Sequence, residues 1–231
     1  MASYNLNAGS NIIVFGDSLT EGAGVTSTQV WHYIYANLNA KGWYNAKTSQ
    51  SGRTLQTLNT NSPANNSLQY VRTNNALTTL PVQADGFYAY DPLFAYAFFS
   101  IGINDVLQSA GVGNTTANFI TEFTAEINLL ISNGWSASKI KVLNLTQVNV
   151  DLWATATSVR IASYNAAVAT VCTTFGIQLI DINTWQNTQP NWTANTLDGL
   201  HWSASQHAAL GNYVASQVGQ LSFRGKKVSF V

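Results

Sequence analysis

The sequence predicts an α/β protein in which a parallel sheet lies between two layers of helices. Short apolar runs alternate along the 231 residues with segments whose apolar residues recur every three or four positions. This alternation is typical of strands joined by helical crossovers. Hydrophobic residues make up 46% of the chain and aromatic residues 12%, enough for a continuous core. The length suits one sizeable domain, so residues 1–231 are predicted to form a single unit.

The first half of the chain begins with a strand signal. Residues 12–15 are apolar and end at Gly16, which predicts a central first strand followed by a turn. Residues 28–40 repeat apolar side chains at helical spacing and predict a helix. The other candidates in this half are a weak strand at 45–50, a helix at 67–80 and a strong strand at 93–101.

The second half continues the alternation. Phe119, Phe123, Ile127 and Leu130 mark an amphipathic helix that ends near Gly134. The elements predicted after it are a strand at 139–145, a helix at 159–175, a strand at 177–182 and a helix at 204–218. Five strands joined by right-handed crossovers give a three-layer α/β/α sandwich with a flavodoxin-like five-stranded parallel sheet. Ligands bind such a sheet beyond the carboxyl ends of its strands, so reactive residues are expected there.

The charge of the chain excludes one class of partner. Ten basic and ten acidic residues give no net charge, and charged residues form 9% of the chain against about 25% in an average protein. No field that attracts phosphate is expected, so nucleic acid is not a predicted partner. A surface solvated by Asn, Thr, Ser and Gln favours an extracellular or virion-associated protein, although the compartment stays open.

The sequence predicts neither a signal peptide nor a membrane-spanning helix. Residues 1–11 have no basic stretch followed by an apolar one, so no signal peptide is predicted. The longest apolar run, residues 92–103, is too short to span a bilayer and predicts a buried strand. Cys172 is the only cysteine, which excludes an internal disulfide, and its apolar helical surroundings predict an inert buried thiol.

A serine follows the first predicted strand at the expected edge of the sheet. Ser18 lies in Gly16-Asp17-Ser18-Leu19, on a turn where its hydroxyl can face the crevice. A serine hydroxyl is a poor nucleophile alone, because its pKa is high. It needs a base within hydrogen-bond reach and donors for the oxyanion that forms.

Three histidines could supply that base. His32 and His207 fall inside predicted helices, where a partly exposed or core imidazole is the ordinary expectation. His201 differs, because it follows the last strand in Asp198-Gly199-Leu200-His201. An aspartate three residues upstream can hold Nδ1 and leave Nε2 to take the serine proton, although the same pattern also serves as a helix cap.

Two further segments could supply oxyanion donors. Asn104 follows the strongest predicted strand, and its amide could donate to developing negative charge, as could a backbone N–H at Ser51-Gly52. Each has a purely structural alternative. Asn104-Asp105 could begin a turn or helix, and Gly52 could be needed for a positive φ.

These four segments, in this order, resemble the sequence blocks of the SGNH hydrolases, the GDSL-type esterases and lipases named for Ser, Gly, Asn and His. The resemblance spans almost the whole chain and implies an esterase. Ser18 would attack, His201 would act as base and then as acid, and Asp198 would orient it. The backbone N–H groups of Ser18 and Gly52 and the Asn104 side chain would form the oxyanion hole. No metal or organic cofactor is implied, and Asp17 with Asp105 is too small a ligand set for a metal.

Aromatic residues around these blocks suggest a substrate. Trp185, Trp192 and Trp202 flank the histidine loop and could stack on sugar rings, or they could simply pack the loops. We therefore expect hydrolysis of short acyl esters, foremost acetyl esters and among them acetylated carbohydrates. The alternatives are a lipid or thioester acylhydrolase, resembling a lysophospholipase or thioesterase, and a non-catalytic carbohydrate-binding or structural module on the same fold. The oligomeric state stays open.

Overall fold

The protein is described from a computed structural model, which covers residues 12–38, 47–49, 51–56, 96–107 and 115–218. Five strands form one sheet: β1 (Ile12–Gly16), β2 (Lys47–Ser49), β3 (Tyr96–Ser100), β4 (Ile140–Leu143) and β5 (Gln178–Ile180). The helices are α1 (Ser18–Glu21), α2 (Trp31–Leu38), α3 (Ile103–Leu107), α4 (Thr116–Ser132), α5 (Ser158–Phe175), α6 (Ile182–Thr188) and α7 (Ala204–Val218), and 3₁₀ turns span Ala137–Lys139 and Trp192–Asn195.

All neighbouring strands are parallel, in the order β2-β1-β3-β4-β5. The chain moves outward from β1 to β2 and then returns across β1 to β3, so the strand order reverses between β1 and β3. The helices that follow these two strands diverge at such a reversal and leave a crevice at the carboxyl ends. The predicted flavodoxin-like sheet is confirmed.

Helices cover both faces of the sheet, as adjacent residues of β3 demonstrate. Phe98 packs edge to face against Trp31 and Tyr35 of α2, whereas Phe99 packs against Phe123 of α4. Successive side chains of a strand point to opposite faces, so α2 and α4 lie on opposite sides of the sheet. The α7 helix packs on α2, and α5 packs on α4. The three-layer sandwich is therefore confirmed.

The predicted element boundaries are right to within a few residues, with informative exceptions. The last helix matches the prediction, while the strand predicted at 93–101 is described as Tyr96–Ser100. Ile182, predicted to end the last strand, instead follows a cap and begins α6, because the Asp181 carboxylate accepts a hydrogen bond from the Thr184 N–H at 3.0 Å. The helix predicted at 67–80 lies outside the described residues.

Burial agrees with the apolar pattern. The core contains nearly every apolar residue of β1, β3 and β4 together with the inner faces of the long helices. Cys172 is 2% exposed, and burial raises the pKa of its thiol to about 12. In the described part of the chain, no helix combines the length and apolarity needed to cross a membrane.

Candidate active site

Ser18 stands where β1 meets α1, at the carboxyl edge of the sheet. The Asp17 carboxylate caps α1 by accepting a hydrogen bond from the Leu19 N–H at 3.0 Å, and Ser18 is the first helical residue. Gly16 is required at this corner, because a β-carbon there would lie 2.4 Å from the Thr20 side chain. The serine is 5% exposed, so its hydroxyl is held at the base of the crevice.

His201 reaches Ser18 across 183 residues of sequence. Its Nε2 lies 2.9 Å from the Ser18 Oγ, and its Nδ1 lies 2.8 Å from Oδ2 of Asp198. The other Asp198 oxygen accepts the backbone N–H groups of Leu200 at 3.1 Å and His201 at 2.8 Å. The structure therefore joins serine, imidazole and carboxylate in one hydrogen-bonded series.

The Asp198 carboxyl group is stabilised as the charged form. Partial burial acts to raise its pKa, but the hydrogen bonds from the side chain and backbone of His201 and from the Leu200 N–H outweigh burial and lower it. An ionised carboxylate is a hydrogen-bond acceptor only. The His201 Nδ1 must therefore carry the proton, and its neutral tautomer presents the Nε2 lone pair to the Ser18 hydroxyl.

The segments predicted to supply oxyanion donors meet at the same edge. Gly16 pairs in register with Ser49 of β2 and Ser100 of β3, so the residues a few positions beyond each strand end lie side by side. Gly52 has a φ of +73°, which favours glycine in that turn. The Asn104 Nδ2 donates to the Arg53 carbonyl oxygen at 2.9 Å. Since an amide NH₂ has two donors, that bond fixes the group and leaves a second N–H.

Asp105 ties the same loop from the next position of α3. Its buried carboxylate accepts hydrogen bonds from the backbone N–H groups of Leu55 at 2.8 Å and Gln56 at 3.2 Å, and from the Gln56 side chain at 3.3 Å. Asn104 and Asp105 together therefore hold residues 51–56 beside the crevice, and we call these contacts the loop clamp. The sequence placed Asp105 next to a candidate site residue, but it did not predict the hydrogen bonds from residues 55 and 56 to its carboxylate.

Asp17 and Asp105 are both fully buried, and burial is the main reason why each pKa is raised to about 7. The Asp105 charge raises the pKa of Asp17 further, whereas the bond from Leu19 and the Arg53 guanidinium lower it. In the described ranges, no group of three His, Cys, Asp or Glu side chains could hold a metal ion.

The model of the GDSL-like lipase/acylhydrolase family matches residues 14–209. The chain belongs to this family. The match includes Ser18, Gly52, Asn104, Asp198 and His201. Family membership implies acylhydrolase activity of the esterase or lipase type.

Solved structures share the fold of this GDSL-like chain. A lipase/acylhydrolase from Enterococcus faecalis aligns with a TM-score of 0.65 at 17% identity, covering 90% of this chain and 94% of that one. A member of the lipolytic G-D-S-L family from Veillonella parvula aligns with a TM-score of 0.62 at 19% identity, covering 92% and 99%. No curated protein matches the sequence.

Trp153 is a neighbour of the GDSL-like site that sequence reasoning missed. Its indole Nε1 donates to the Asp198 carbonyl oxygen at 3.0 Å, and its ring lies nearly perpendicular to the His201 imidazole with centroids 6.4 Å apart. The Asn149 N–H also donates to the Gly199 carbonyl oxygen at 2.8 Å. Residues 149–153 therefore support the histidine loop, a contact for which the sequence carries no local signal.

The other two histidines belong to the core. The His32 Nε2 lies 3.0 Å from the Thr20 carbonyl oxygen, and burial lowers its pKa to about 4. The His207 Nδ1 accepts a hydrogen bond from the Trp31 N–H at 3.3 Å. Burial, with smaller effects of His32 and His201, lowers the pKa of His207 to about 3. Both imidazoles are therefore neutral at pH 7.

The predicted tryptophan platform needs one correction. Trp202 is 1% exposed and packs edge to face against His207, so the prediction that it stacks on a sugar is wrong. Trp185 is half-buried and stacks on Tyr213 at 5.2 Å, so protein already covers one face of its ring. Trp192 is half-buried in a 3₁₀ turn. For Trp185 and Trp192, a role in substrate binding stays a prediction.

Proposed function

We propose that this GDSL-like acylhydrolase is a serine carboxylic-ester hydrolase with Ser18 as nucleophile, His201 as base and Asp198 as its orienting carboxylate. One observation carries the proposal: the series from Asp198 through His201 to Ser18, with heavy-atom distances of 2.8 and 2.9 Å. Both distances lie in the range required for proton transfer. A binding module has no need for a serine hydroxyl aimed at an imidazole.

The reaction begins when the Ser18 oxygen attacks the ester carbonyl carbon. The hydroxyl proton moves to the His201 Nε2 as the new C–O bond forms, and the carbonyl π electrons move onto oxygen. The imidazolium is stabilised by Asp198. The imidazolium then returns the proton to the alcohol oxygen, as the oxyanion re-forms the carbonyl and the bond between the carbonyl carbon and the alcohol oxygen breaks. Water repeats the sequence on the acyl-serine, releasing the acid and restoring Ser18.

We assign the stabilisation of the tetrahedral oxyanion to three donors on segments that meet at the carboxyl edge of the sheet. Ser18 is the first residue of α1, and the leading N–H groups of a helix have no partner within it. The Gly52 N–H and the second N–H of Asn104 complete the set, as the family resemblance implies. Preorganised donors lower the barrier because they need not reorient while charge develops.

We further propose that the enzyme prefers short acyl groups, foremost acetyl, with acetylated carbohydrates among its substrates. The half-buried Trp153 beside His201 supports the carbohydrate part of this proposal, because an indole can stack on a sugar ring.

The test uses p-nitrophenyl acetate, butyrate and octanoate, an acetylated polysaccharide, and an alkyl fluorophosphonate that labels active serines. We expect phosphonylation at Ser18, found by peptide mass spectrometry, and the highest kcat/KM for acetate. Labelling without any ester hydrolysis, or the absence of labelling in folded protein, contradicts the esterase. If octanoate is hydrolysed fastest, the result favours the alternative function, a lipid or thioester acylhydrolase.

A further inference from the structure

Exposed apolar side chains gather around the histidine loop. In the described part of the chain, six large hydrophobic residues are exposed, and three of them, Val150, Leu152 and Leu197, lie on the segments that border His201. Leu152 is 64% exposed and Leu197 is 54% exposed. Single exposed leucines are common on protein surfaces, but a group beside a reactive imidazole indicates a contact surface.

Packing fixes these side chains on the two segments. A β-carbon at Gly199 would lie 2.9 Å from Cδ1 of Leu152, so this leucine covers the loop between Asp198 and His201. A β-carbon at Gly24 would lie 2.4 Å from Cδ1 of Leu197, so the second leucine reaches the turn that follows α1. Together with the half-buried Trp153, they form what we call the loop rim.

The chemistry determines which part of a substrate meets the loop rim. His201 must return its proton to the alcohol oxygen, which therefore lies within hydrogen-bond distance of Nε2. The carbonyl oxygen points toward the proposed donors at Gly52 and Asn104, which lie on segments other than the histidine loop. The alcohol group must then extend over the surface next to His201, which is where the loop rim lies.

Acidic residues beside the loop rim further limit which alcohols can bind there. Asp151 precedes Leu152 in the chain and Asp198 follows Leu197, so an acidic residue adjoins each leucine. The Asp151 residue is exposed, and the Asp198 side chain is 45% exposed. Phosphate-bearing alcohols would meet like charge there, whereas a neutral ring would not.

We propose that Leu152, Trp153 and Leu197 form a binding site for the alcohol portion of the ester, selective for a neutral alcohol with an apolar ring face. The face could be a saturated carbocycle or the C–H face of a pyranose, since both bury apolar surface against leucine and indole. This inference rests on the proposed esterase function and concerns the alcohol, not the acyl group.

The experiment holds the acyl group constant and varies the alcohol. Ethyl acetate, cyclohexylmethyl acetate, methyl glucopyranoside acetylated on its primary hydroxyl, and the acetate of hydroxyethyl phosphate all release a primary alcohol. For wild-type enzyme, we expect a kcat/KM for at least one ring acetate roughly tenfold above that for ethyl acetate. The phosphate ester should be the poorest substrate. Whichever ring acetate is hydrolysed faster shows whether the alcohol of the natural ester is a sugar or a hydrocarbon ring.

Leu152→Ser and Leu197→Ser test the site without touching the hydrogen-bonded series. Each should lower the ring-to-ethyl ratio of kcat/KM roughly threefold, because the ring acetate loses apolar contact that ethyl acetate is too small to make. Leu38→Ser is the matched control, because Leu38 is 51% exposed at the end of α2, at the opposite edge of the sheet. It should leave the ratio as in wild type.

The outcomes separate this inference from the function on which it rests. If wild type hydrolyses all the acetates equally, or if both leucine variants keep the wild-type ratio, the alcohol site is wrong while the esterase stands. Preference for the phosphate ester also overturns the site. If no acetate is hydrolysed and the fluorophosphonate does not label Ser18, the proposed function itself has failed.

Discussion

Ser18 and Asp198 lie at opposite ends of one hydrogen-bonded series, yet the protein holds them in different ways. The serine half of the site is buried at the sheet edge, with Ser18 5% exposed and Asp105 fully buried. In the histidine half, the side chain of His201 is 19% exposed and that of Asp198 is 45% exposed. The core therefore fixes the first half, whereas local hydrogen bonds and Trp153 fix the second.

This difference indicates where stability and activity can be separated. A change in the buried half disturbs both the reaction and the fold, because unpaired buried polar groups are costly. A change in the exposed half can remove activity alone, since water replaces what is lost. The predictions below use that contrast.

The largest effect is expected for Ser18→Ala. Loss of the nucleophile should lower kcat for p-nitrophenyl acetate roughly 10³- to 10⁶-fold, while the melting temperature stays near that of wild type. Steady-state kinetics and thermal unfolding monitored by circular dichroism measure the two quantities. Near-wild-type turnover by a folded variant would refute Ser18 as nucleophile.

The next largest effect is expected for Asp198→Asn, which should lose activity but keep its stability. The amide no longer stabilises the imidazolium and can favour the wrong tautomer of His201, so kcat should fall roughly 10²- to 10⁴-fold. Because Asp198 is half exposed, the free energy of unfolding should change by less than about 1 kcal/mol. A variant that unfolds readily would show that the histidine half is not held as described.

Asp105→Asn tests the loop clamp in the buried half. Replacing the Asp105 carboxyl group by an amide brings an N–H₂ group against the backbone donor of Leu55 or of Gln56. We expect kcat to fall roughly 10- to 100-fold with little change in KM, because loosened oxyanion donors act in the transition state. We also expect a loss of about 1–3 kcal/mol in unfolding free energy.

Glu122→Gln, an acid-to-amide change on α4, is the control for Asp105→Asn. It should leave kcat unchanged, because Glu122 belongs neither to the loop clamp nor to the hydrogen-bonded series. Unchanged kcat in a destabilised Asp105→Asn protein would limit the loop clamp to a structural role.

Trp153→Phe should have a smaller effect on the histidine half. The variant keeps an aromatic ring beside His201 but loses the indole bond to the Asp198 carbonyl oxygen. A net hydrogen bond contributes about 1 kcal/mol, so kcat for p-nitrophenyl acetate should fall roughly threefold to tenfold. Equal kinetics in wild type and variant would show that the histidine loop is held without Trp153.

The last prediction concerns His207, which is buried in the core, whereas His201 is partly exposed. His207 has a pKa of about 3 when folded against about 6.5 when unfolded, so the unfolded chain binds more protons between these values. Its contribution to stability is complete above pH 6.5 and is lost as pH falls. Asp17 and Asp105, with raised pKa values, act in the opposite direction over the same window.

Comparing variant with wild type cancels the contribution of the two aspartates. As the pH falls from 7 to 5, wild type should therefore lose about 2 kcal/mol of unfolding free energy relative to His207→Gln, because glutamine does not titrate. Urea unfolding at both pH values measures this difference, and activity at pH 7 should change little. A stability difference that is independent of pH would contradict a neutral, buried His207.

Much of the fold could be predicted because its signals are local. The helical spacing of Phe119, Phe123, Ile127 and Leu130 and the glycine after β1 each lie within a short window of sequence. The short α1 and α6 helices were missed, and a helix at Asn104-Asp105 was only an alternative to a turn, since such short segments carry too little periodicity to distinguish the two. Boundaries shifted where a cap decided them, as at Asp181.

The order of the amino acids specifies the chemistry available at the carboxyl edge: a serine after β1, an asparagine after β3, and a histidine three residues from an aspartate. Tertiary structure decided which of these groups touch. The 2.9 Å contact between Ser18 and His201, the hydrogen bonds of Asp105 to residues 55 and 56, and the support from Trp153 depend on how crossovers return the chain. The burial of Trp202 has the same origin, because the accessibility of a side chain depends on distant packing partners and not on its neighbours in sequence.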